Sequence, residues 1–454
     1  MVNIARITFC GGTGTVTGAN FLLEVGDKKI LVDCGLTQGI KLADDINWDS
    51  FPYEPKDIDI LFVTHAHIDH LGRIPKLTKE GFRGKIYSTL PTKALAVPML
   101  EDTMSILSRK REYNLSDIYN EENLAVTFSL WEGFEYHQKI KLDENFEVSF
   151  RDSGHILGSA MIEFVLNGKK ILFTGDLGNS PSPLLPDTEI INDIDYLIME
   201  SVYGDRNHES RNERKKLLEM ALEDNHKRKG TLIVPTFSLE RSQELLFELN
   251  DLVEHNRIPV MPIFFDSPLA IKLTEIFKQF KTYFNVNAQK VMSNDKHIFD
   301  FPGLHTTLRS EESKKINEFP NPKVIIAGSG MSSGGRIVHH EKHYLPDPNN
   351  TILLTGYQAV GTMGRLIQEG IKTVKISGEY VSVRAKVVTI YGYSGHKDSN
   401  GLINFVENSV ETLKKVFVVM GEPKSSMFLV QKLRDNLGVN AYSPEDGSSV
   451  VLDC

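Results

Sequence analysis

The stretch Thr64-His65-Ala66-His67-Ile68-Asp69-His70 decides how this chain is interpreted. It follows an apolar strand predicted at 58–63, so three imidazoles and a carboxylate crowd the end of a buried strand. A solvated polar loop is the alternative explanation. Metal coordination explains the residue types better, because imidazole nitrogens and carboxylate oxygens are common metal ligands. The stretch therefore predicts a metal site and, with it, a metal-dependent hydrolase.

Length and composition limit the class of protein. The chain has 454 residues, too many for one ordinary core, so we expect two domains. Its 41% apolar and 24% charged residues are typical of a soluble globular protein, and we expect no membrane span and no signal peptide. The net charge of −9 argues against a surface that binds nucleic acid everywhere, though not against a local basic groove. Three scattered cysteines predict no disulfide framework, which favours a cytoplasmic protein.

Two hairpins organise the first part of the chain. One spans 20–35 around a Gly26-Asp27 turn, and the other spans 161–174 around an Asn167-Gly168 turn. The second strand of each ends at an aspartate, Asp33 or Asp176. The amino-acid sequence at 26–31 is similar to that at 167–172, which we interpret as a weak internal repeat. Two sheets built to a common plan, with helices outside, fit this pattern.

The middle of the chain has a different character. Between about 207 and 385, apolar strands alternate with helical segments, which predicts a mostly parallel sheet. From 386 the pattern returns to strands of the first kind, at 387–391 and 416–419. We therefore predict one domain made of 1–206 and 386–454, with a second domain, 207–385, inserted into it.

The first motif and two later residues together provide a metal-binding set. In an extended or tightly turned loop, His65 and His67 point the same way, while Asp69 and His70 follow one turn later, so one loop can serve two ions. His155 would complete the ligands of the first ion, and Asp176 would bridge the two. These donors suit zinc, as one or two ions, with manganese and iron as alternatives. Asp33 is predicted to hold a ligand imidazole by a hydrogen bond.

These residues resemble a known family. Asp33, the 65–70 run, His155 and Asp176 resemble the four motifs of the metallo-β-lactamase fold. Glu200 and His396 resemble motifs A and B of its β-CASP branch, which holds RNA-processing nucleases related to RNase J and to the cleavage-and-polyadenylation endonuclease. Stretches at 235–237, 266–270, 328–336 and 377–379 match as well, so the resemblance spans essentially the whole chain. It implies an α/β fold: an αββα sandwich with an inserted α/β β-CASP domain, the active site lying in the cleft between them.

The resemblance also implies a function. It predicts a nuclease that hydrolyses phosphodiester bonds of single-stranded RNA with a metal-activated water, as an endonuclease, a 5′–3′ exonuclease or both. Asp69, Glu200 and His396 would be catalytic: His396 would protonate the leaving oxygen, and Glu200 would favour its charged form. A small-molecule ester or thioester hydrolase of the same fold and a nuclease-like RNA-binding subunit are the rivals. DNA as a substrate and a homodimer are left open.

One position departs from the family pattern. RNA-processing members have a histidine at motif C, just after a C-terminal strand, where this chain has Met420. A thioether is a poor ligand for a hard or borderline divalent ion. The second ion would then keep only Asp69, His70 and Asp176 and bind weakly, unless Glu422 substitutes.

A glycine-rich run supplies candidate substrate contacts. It follows the strand predicted at 323–327 and opens a helix, so its backbone N–H groups could bind phosphate. A plain glycine-rich turn is the alternative, and the Gly-Lys-Ser/Thr ending of a P-loop is absent from the run. His339 and His343 are predicted to pack rather than to bind metal. The predicted contacts are Ser329, Gly330, Met331, Gly334, Gly335, Arg336 and, outside the run, Arg241, with Arg206 and Arg384 as further candidates.

Overall fold

The computed structural model describes residues 5–39, 43–108, 112–208, 211–294, 297–356, 358–359 and 361–454. The chain forms two compact units. Unit 1 comprises Met1–Ser182, Pro186–Asn207 and His396–Cys454, and unit 2 comprises Pro183–Leu185 and His208–Gly395. Among the described helices, none has both the length and the apolar character needed to cross a bilayer.

The regular elements are numbered in chain order. The strands are β1 Ala5–Phe9, β2 Phe21–Val25, β3 Lys28–Val32, β4 Ile60–Phe62, β5 Lys85–Thr89, β6 Trp131–Phe134, β7 Ile140–Asp143, β8 Phe146–Asp152, β9 Ala160–Leu166, β10 Lys169–Phe173, β11 Tyr196–Met199, β12 Thr231–Pro235, β13 Ile263–Asp266, β14 Leu304–Thr306, β15 Lys323–Ala327, β16 Thr351–Thr355, β17 Thr373–Ile376, β18 Glu379–Ser382, β19 Lys386–Ile390, β20 Lys415–Val418, β21 Ala441–Tyr442 and β22 Ser449–Leu452. The α-helices are α1 Ala43–Trp48, α2 Ile68–Leu71, α3 Ile74–Lys79, α4 Leu90–Leu107, α5 Leu115–Ile118, α6 Glu121–Ser129, α7 Arg211–Arg228, α8 Arg241–Glu254, α9 Pro268–Gln279, α10 Val286–Asn294, α11 Ser310–Lys315, α12 Ile337–Tyr344, α13 Met363–Gln368, α14 Ser399–Glu407 and α15 Pro423–Leu437.

Unit 1 contains two seven-stranded sheets built to one plan. Their strand orders are β22-β1-β2-β3-β4-β5-β6 and β21-β20-β11-β10-β9-β8-β7. Each sheet has three antiparallel pairings on one side and three parallel pairings on the other, and the two kinds meet at the second strand of a predicted hairpin, β3 or β10. The weak repeat in the sequence therefore corresponds to a repeat in topology, and Asp33 and Asp176 follow equivalent strands.

The core of unit 1 lies between the two sheets. Aromatic rings from opposite sheets meet there, including Phe9 with Phe417 and Phe62 with Phe164, whose centroids lie 5.3 Å apart in each pair. A second apolar cluster joins β10, β11 and β20 to helices α14 and α15 on the other face of that sheet. Burying apolar side chains on both faces stabilises such a sheet. The layers are those of the predicted αββα sandwich.

Unit 2 is built around a six-stranded sheet in the order β14-β13-β15-β12-β16-β19, with every pairing parallel, as predicted. One assignment needs correction. The strand predicted at 387–391 was placed in the first domain, but β19 pairs in parallel with β16, and unit 2 continues to Gly395. An apolar strand pattern identifies a buried strand without indicating which sheet it joins.

Candidate active site

The 65–70 motif forms a short, firmly anchored turn in unit 1. His67 is the N-cap residue of α2, with φ −70° and ψ 146°. Backbone carbonyls of α2 accept hydrogen bonds from the segments beside it: Ala19 N to Asp69 O at 3.0 Å and Cys34 N to His70 O at 2.8 Å. Gly35 permits this contact, because a Cβ there would lie 1.5 Å from the Asp69 carbonyl oxygen. The turn is therefore held by neighbouring backbone, which suits a site that must keep its geometry.

Four predicted ligands converge in unit 1. His65, His67, His155 and Asp176 each offer one donor atom, and these atoms all lie within 4.8 Å of one another. Nδ1 of His67 lies 3.1 Å from Nε2 of His65 and 3.2 Å from Nε2 of His155. Oδ2 of Asp176 lies 3.4 Å from Nε2 of both His65 and His155. The structure thus brings together residues that are up to 111 positions apart in the sequence (176 − 65).

The geometry of these donors fits a metal ion. Donors about 2.0–2.1 Å from a tetrahedral zinc ion lie roughly 3.3 Å from one another, and the four separations given above run from 3.1 to 3.4 Å. Burial, followed by neighbouring imidazoles, lowers the pKa of His67 and His155 well below its ordinary value. Both rings are then neutral near neutral pH, the form that binds a metal. The residues present therefore fit a divalent ion.

Asp33 orients two imidazoles of the site. Its Oδ2 accepts hydrogen bonds from His70 Nδ1 at 2.7 Å and from Thr64 Oγ1 at 2.8 Å. Thr64 Oγ1 can in turn accept a hydrogen bond from His65 Nδ1 at 3.0 Å. Both histidines then direct Nε2 away from Asp33. This is the supporting role predicted for Asp33, and Thr64 is a part of it that the sequence did not single out.

The three predicted ligands of a second ion also lie close together. Nε2 of His70 is 3.3 Å from Asp176 Oδ1 and 3.9 Å from Asp69 Oδ2. Burial opposes the charge on His70, but Asp176 and Asp33 outweigh burial and raise its pKa well above the ordinary value. Among the described residues, His70 Nε2 and Asp176 Oδ1 are buried without a hydrogen bond of good geometry. A cation between two buried polar atoms placed in this way would satisfy both.

Glu200 and His396 form a second group with Asp176. Glu200 is fully buried after β11, where its Oε1 accepts a hydrogen bond from Leu177 N at 2.6 Å. His396 Nδ1 lies 3.2 Å from each oxygen of Glu200 and 3.9 Å from Asp176 Oδ2. Burial disfavours the imidazolium, but Glu200 and Asp176 raise the pKa of His396 to about 9. The pairing predicted from the sequence is therefore present, and its geometry keeps His396 protonated.

Met420 packs into the core between the sheets. Its side chain is buried, and a Cβ on Gly12 would lie 2.6 Å from the Met420 Sδ. Its backbone has φ +47°, and its N–H donates to Gly12 O at 2.7 Å. Glu422, the suggested substitute ligand, is the N-cap residue of α15 and belongs to neither donor group of the described residues. Met420 therefore has a packing role, and a second ion would have only the three donors described above.

Replacing Met420 by histidine is expected to strengthen binding of a second ion. A histidine would add an imidazole donor at the position where the family pattern has one. We expect metal titration of Met420→His to raise the bound stoichiometry towards two ions per chain. Met420→Leu is the matched control, since it keeps an apolar side chain without a donor. Equal stoichiometry in the two variants would reject a weakened second site.

The predicted substrate contacts of the glycine run lie in unit 2. Gly328–Arg336, here called the glycine loop, connects β15 to α12. It is closed by hydrogen bonds from Ser329 N to Gly334 O at 3.3 Å and from Ser333 N to Ser329 Oγ at 3.1 Å. Gly335 has φ +69°, and a Cβ there would lie 2.4 Å from Gly328 O. The loop is thus an ordered turn at the carboxyl end of a parallel strand, where α/β sheets commonly bind ligands.

Two predicted phosphate contacts already have internal partners. Arg336 donates from Nη1 to Asp266 Oδ1 at 2.6 Å and from Nη2 to Leu308 O at 2.8 Å. Arg241 is buried and donates from Nη1 to Glu244 at 2.8 Å. A phosphate bound by either guanidinium would compete with these hydrogen bonds, so both assignments stay predictions. In the motif at 339–343, His340 is held by a hydrogen bond in which its Nε2 lies 2.7 Å from Asp266 Oδ2.

Some supporting residues of the site were missed by the sequence. Ser159 Oγ accepts from the backbone N–H of His155 at 3.0 Å, and Ser153 Oγ donates to Ser159 Oγ at 2.8 Å. Gly178 packs so closely that a Cβ would lie 1.8 Å from Gly154 O. The Ser-Gly-His-Ile-Leu-Gly-Ser context of His155 is the signal that could have identified the serines, because their hydroxyls can cap local backbone groups.

Family models match most of the chain. The metallo-β-lactamase superfamily model matches residues 13–228, and the Beta-Casp domain model matches residues 242–367. A third model, described as a Zn-dependent metallo-hydrolase RNA specificity domain, matches residues 380–444. Together they cover both described units, in the order that the resemblance predicted.

Several relatives are similar over almost the whole chain. A ribonuclease of Thermus thermophilus is 34% identical over 93% of this chain and 95% of its own length. An RNase J-like protein of Methanocaldococcus jannaschii is 31% identical over 98% of this chain and 99% of its own length. A transcription termination factor, FttA, of Methanosarcina mazei is 29% identical over 98% of this chain and 71% of its own length. The chain therefore belongs to the β-CASP branch of the metallo-β-lactamase superfamily.

A solved structure has the same fold. A protein of unknown function from Enterococcus faecalis V583 is similar, with a TM-score of 0.56 and 14% sequence identity, over 99% of this chain and 100% of the other. At that identity the likeness concerns the fold alone. It agrees with the two-unit α/β architecture described above.

Proposed function

We propose that this protein is a metal-dependent ribonuclease that hydrolyses phosphodiester bonds of single-stranded RNA. The observation that carries the proposal is the convergence of His65, His67, His155 and Asp176 to within 4.8 Å beside the Glu200–His396 pair. RNA as the substrate is supported by the match to an RNA specificity domain at 380–444 and by the ribonucleases among the relatives.

The protein residues divide into a metal-holding set and a proton-donating pair. We propose that the four converging donors hold one zinc ion, and that Asp69, His70 and Asp176 hold a second, weaker one. Divalent ions in such a site would lower the pKa of a water and offset charge on the phosphate. Glu200 is fixed by Leu177 N and keeps His396 protonated, so Nε2 of His396 can give a proton to the leaving oxygen.

Two other functions stay open to test. A small ester or thioester hydrolase could use the same metal-holding set, and an RNA-binding subunit could retain the fold with weakened metal binding because of Met420. The intact donor geometry and the proton-donating pair favour hydrolysis over binding alone. DNA cleavage, a homodimer and cytoplasmic residence also stay predictions.

The proposed function is tested by a panel of substrates. The purified full chain is incubated with 5′- and 3′-labelled single-stranded RNA, with DNA of the same sequence, and with a thioester, each with and without a chelator. We expect RNA cleavage that the chelator stops and that added zinc or manganese restores. Thioester hydrolysis without RNA cleavage would favour the small-molecule enzyme. RNA binding without cleavage in excess metal would favour the binding subunit.

A further inference from the structure

A buried carboxyl group lies beneath the glycine loop. Glu341 on α12 is fully buried, and its Oε1 accepts a hydrogen bond from Ser332 Oγ. Ser332 is itself buried and belongs to the loop, with φ +57°. The other oxygen of Glu341, Oε2, is buried, and no hydrogen bond to it is found among the described residues. A carboxyl group with one hydrogen bond and no solvent is poorly suited to carry charge.

Among the residues that the structure describes, none provides a compensating cation for Glu341. Within the described part of the chain, no basic side chain lies within ion-pair distance of it; His340 faces Asp266, and Lys342 pairs with Glu379. Burial raises the pKa of Glu341 to about 8, and the hydrogen bond from Ser332 only partly opposes this. Glu341 is therefore uncharged near neutral pH.

Three consecutive residues of the loop are each held by a hydrogen bond to a residue outside the loop, and one of these hydrogen bonds is that between Ser332 and Glu341. Gln358 donates from Nε2 to Gly330 O at 3.1 Å, and Gly364 N donates to Met331 O at 3.1 Å. The hydrogen bond from Ser332 to Glu341 is the third. The partners at Gly330 and Met331 are an amide and a backbone N–H, which do not titrate. Of the three partners, only the carboxyl group of Glu341 can change its charge with pH.

We propose that Glu341, held uncharged, positions the glycine loop for binding an RNA phosphate, and that its ionisation weakens this binding. The proposal rests on the proposed ribonuclease function, together with the prediction from the sequence that backbone N–H groups of the loop bind a phosphate of the RNA. A carboxylate beneath the loop would repel the phosphate at low effective dielectric.

The sign of the pH effect follows from which form binds. Below its pKa, Glu341 is neutral and the loop can bind the RNA phosphate. At pH 9, one unit above a pKa of about 8, roughly a tenth of the chains remain competent, so the Kd for RNA rises up to about tenfold. Glu341→Gln keeps the shape and is neutral at every pH, so its affinity is expected to lack this loss. Ser332→Ala removes the hydrogen bond that lowers the pKa, so the loss is expected at higher pH.

Binding of fluorescein-labelled single-stranded RNA to the full chain, followed by fluorescence anisotropy from about pH 6.5 to about pH 9.5, tests the proposal. All proteins carry His396→Ala to slow cleavage. Glu275→Gln, a change of a 60% exposed glutamate on α9, is the matched control. Its RNA affinity is expected to depend on pH in the same way as that of the protein with Glu341 unchanged. Indistinguishable pH profiles with and without Glu341→Gln would overturn the proposal.

Thermal unfolding separates this proposal from the proposed function. The pKa of Glu341 is higher in the folded chain than the ordinary value of 4.5, so its ionisation costs stability as pH rises towards 8. Glu341→Gln is therefore expected to raise Tm at pH 9 and to leave it nearly unchanged at pH 5. Absence of RNA binding by all variants, with this Tm shift present, would overturn the proposed function in RNA cleavage, and with it the role of the loop, while showing that Glu341 is the buried, uncharged group. Absence of the Tm shift would show that Glu341 is not the buried, uncharged group proposed.

Discussion

Replacing His67 by alanine is expected to stop RNA cleavage and to release the metal. Nδ1 of His67 lies within 3.2 Å of Nε2 of both His65 and His155, so the change removes a donor from the centre of the cluster. Loss even of a group that only supports a ligand costs about 10–100-fold in metal affinity. Loss of a donor itself should cost more. We expect metal analysis of the purified variant to find less ion per chain, and cleavage to fall to the detection limit.

The control for this variant is His255→Ala. His255 is a histidine on unit 2 with a 70% exposed side chain, so its loss removes an imidazole from the surface and not from the cluster. It should retain metal and cleavage. Undiminished cleavage by His67→Ala, at matched metal concentration, would show that the converging donors are not the active site.

Replacing His396 by alanine is expected to lower kcat on RNA by about 10²–10⁴-fold, the usual contribution of a general acid. The metal content should not change, since the four converging donors remain. KM should also change little, because the proton is transferred only in the transition state. Glu200→Gln should give a smaller loss, since it leaves the imidazole in place but removes the charge that favours its protonated form.

The choice of substrate separates proton donation from other roles of His396. A phosphodiester with a nitrophenyl leaving group needs no proton on the departing oxygen, because nitrophenolate is already a stable anion. We expect His396→Ala to hydrolyse bis(4-nitrophenyl) phosphate at close to the unmodified rate while it fails on RNA. An equal loss on both substrates would indicate that His396 supports the metal site and is not the general acid.

The sequence identified the residues of the proposed site because they lie at strand ends. Polar residues directly after an apolar strand have no packing reason to be there, so the 65–70 motif and Asp176 were identifiable without a structure. The topological repeat explains why Asp33 and Asp176 occupy equivalent positions, and the sequence had indicated that repeat only weakly. Motif resemblance supplied Glu200 and His396, which geometry then brings to 3.2 Å.

Side-chain partners could not be obtained in the same way. Arg336 and Arg241 looked available for phosphate, but their partners Asp266 and Glu244 emerge only when the chain is folded. Glu341 lies in a histidine-rich segment of the sequence, and its complete burial becomes visible only in the folded chain. Sheet membership is equally non-local, which is why β19 was assigned to the wrong domain. Long-range partners depend on tertiary packing, and local sequence patterns do not encode it.

The central claim is that a divalent ion is bound by His65, His67, His155 and Asp176. The most direct measurement is anomalous X-ray diffraction from crystals of the full chain grown with zinc, recorded on both sides of the zinc absorption edge. An anomalous peak bonded to three histidine nitrogens and one carboxylate oxygen of that set is the predicted result. A metal-saturated crystal with no peak among those four side chains would contradict the claim.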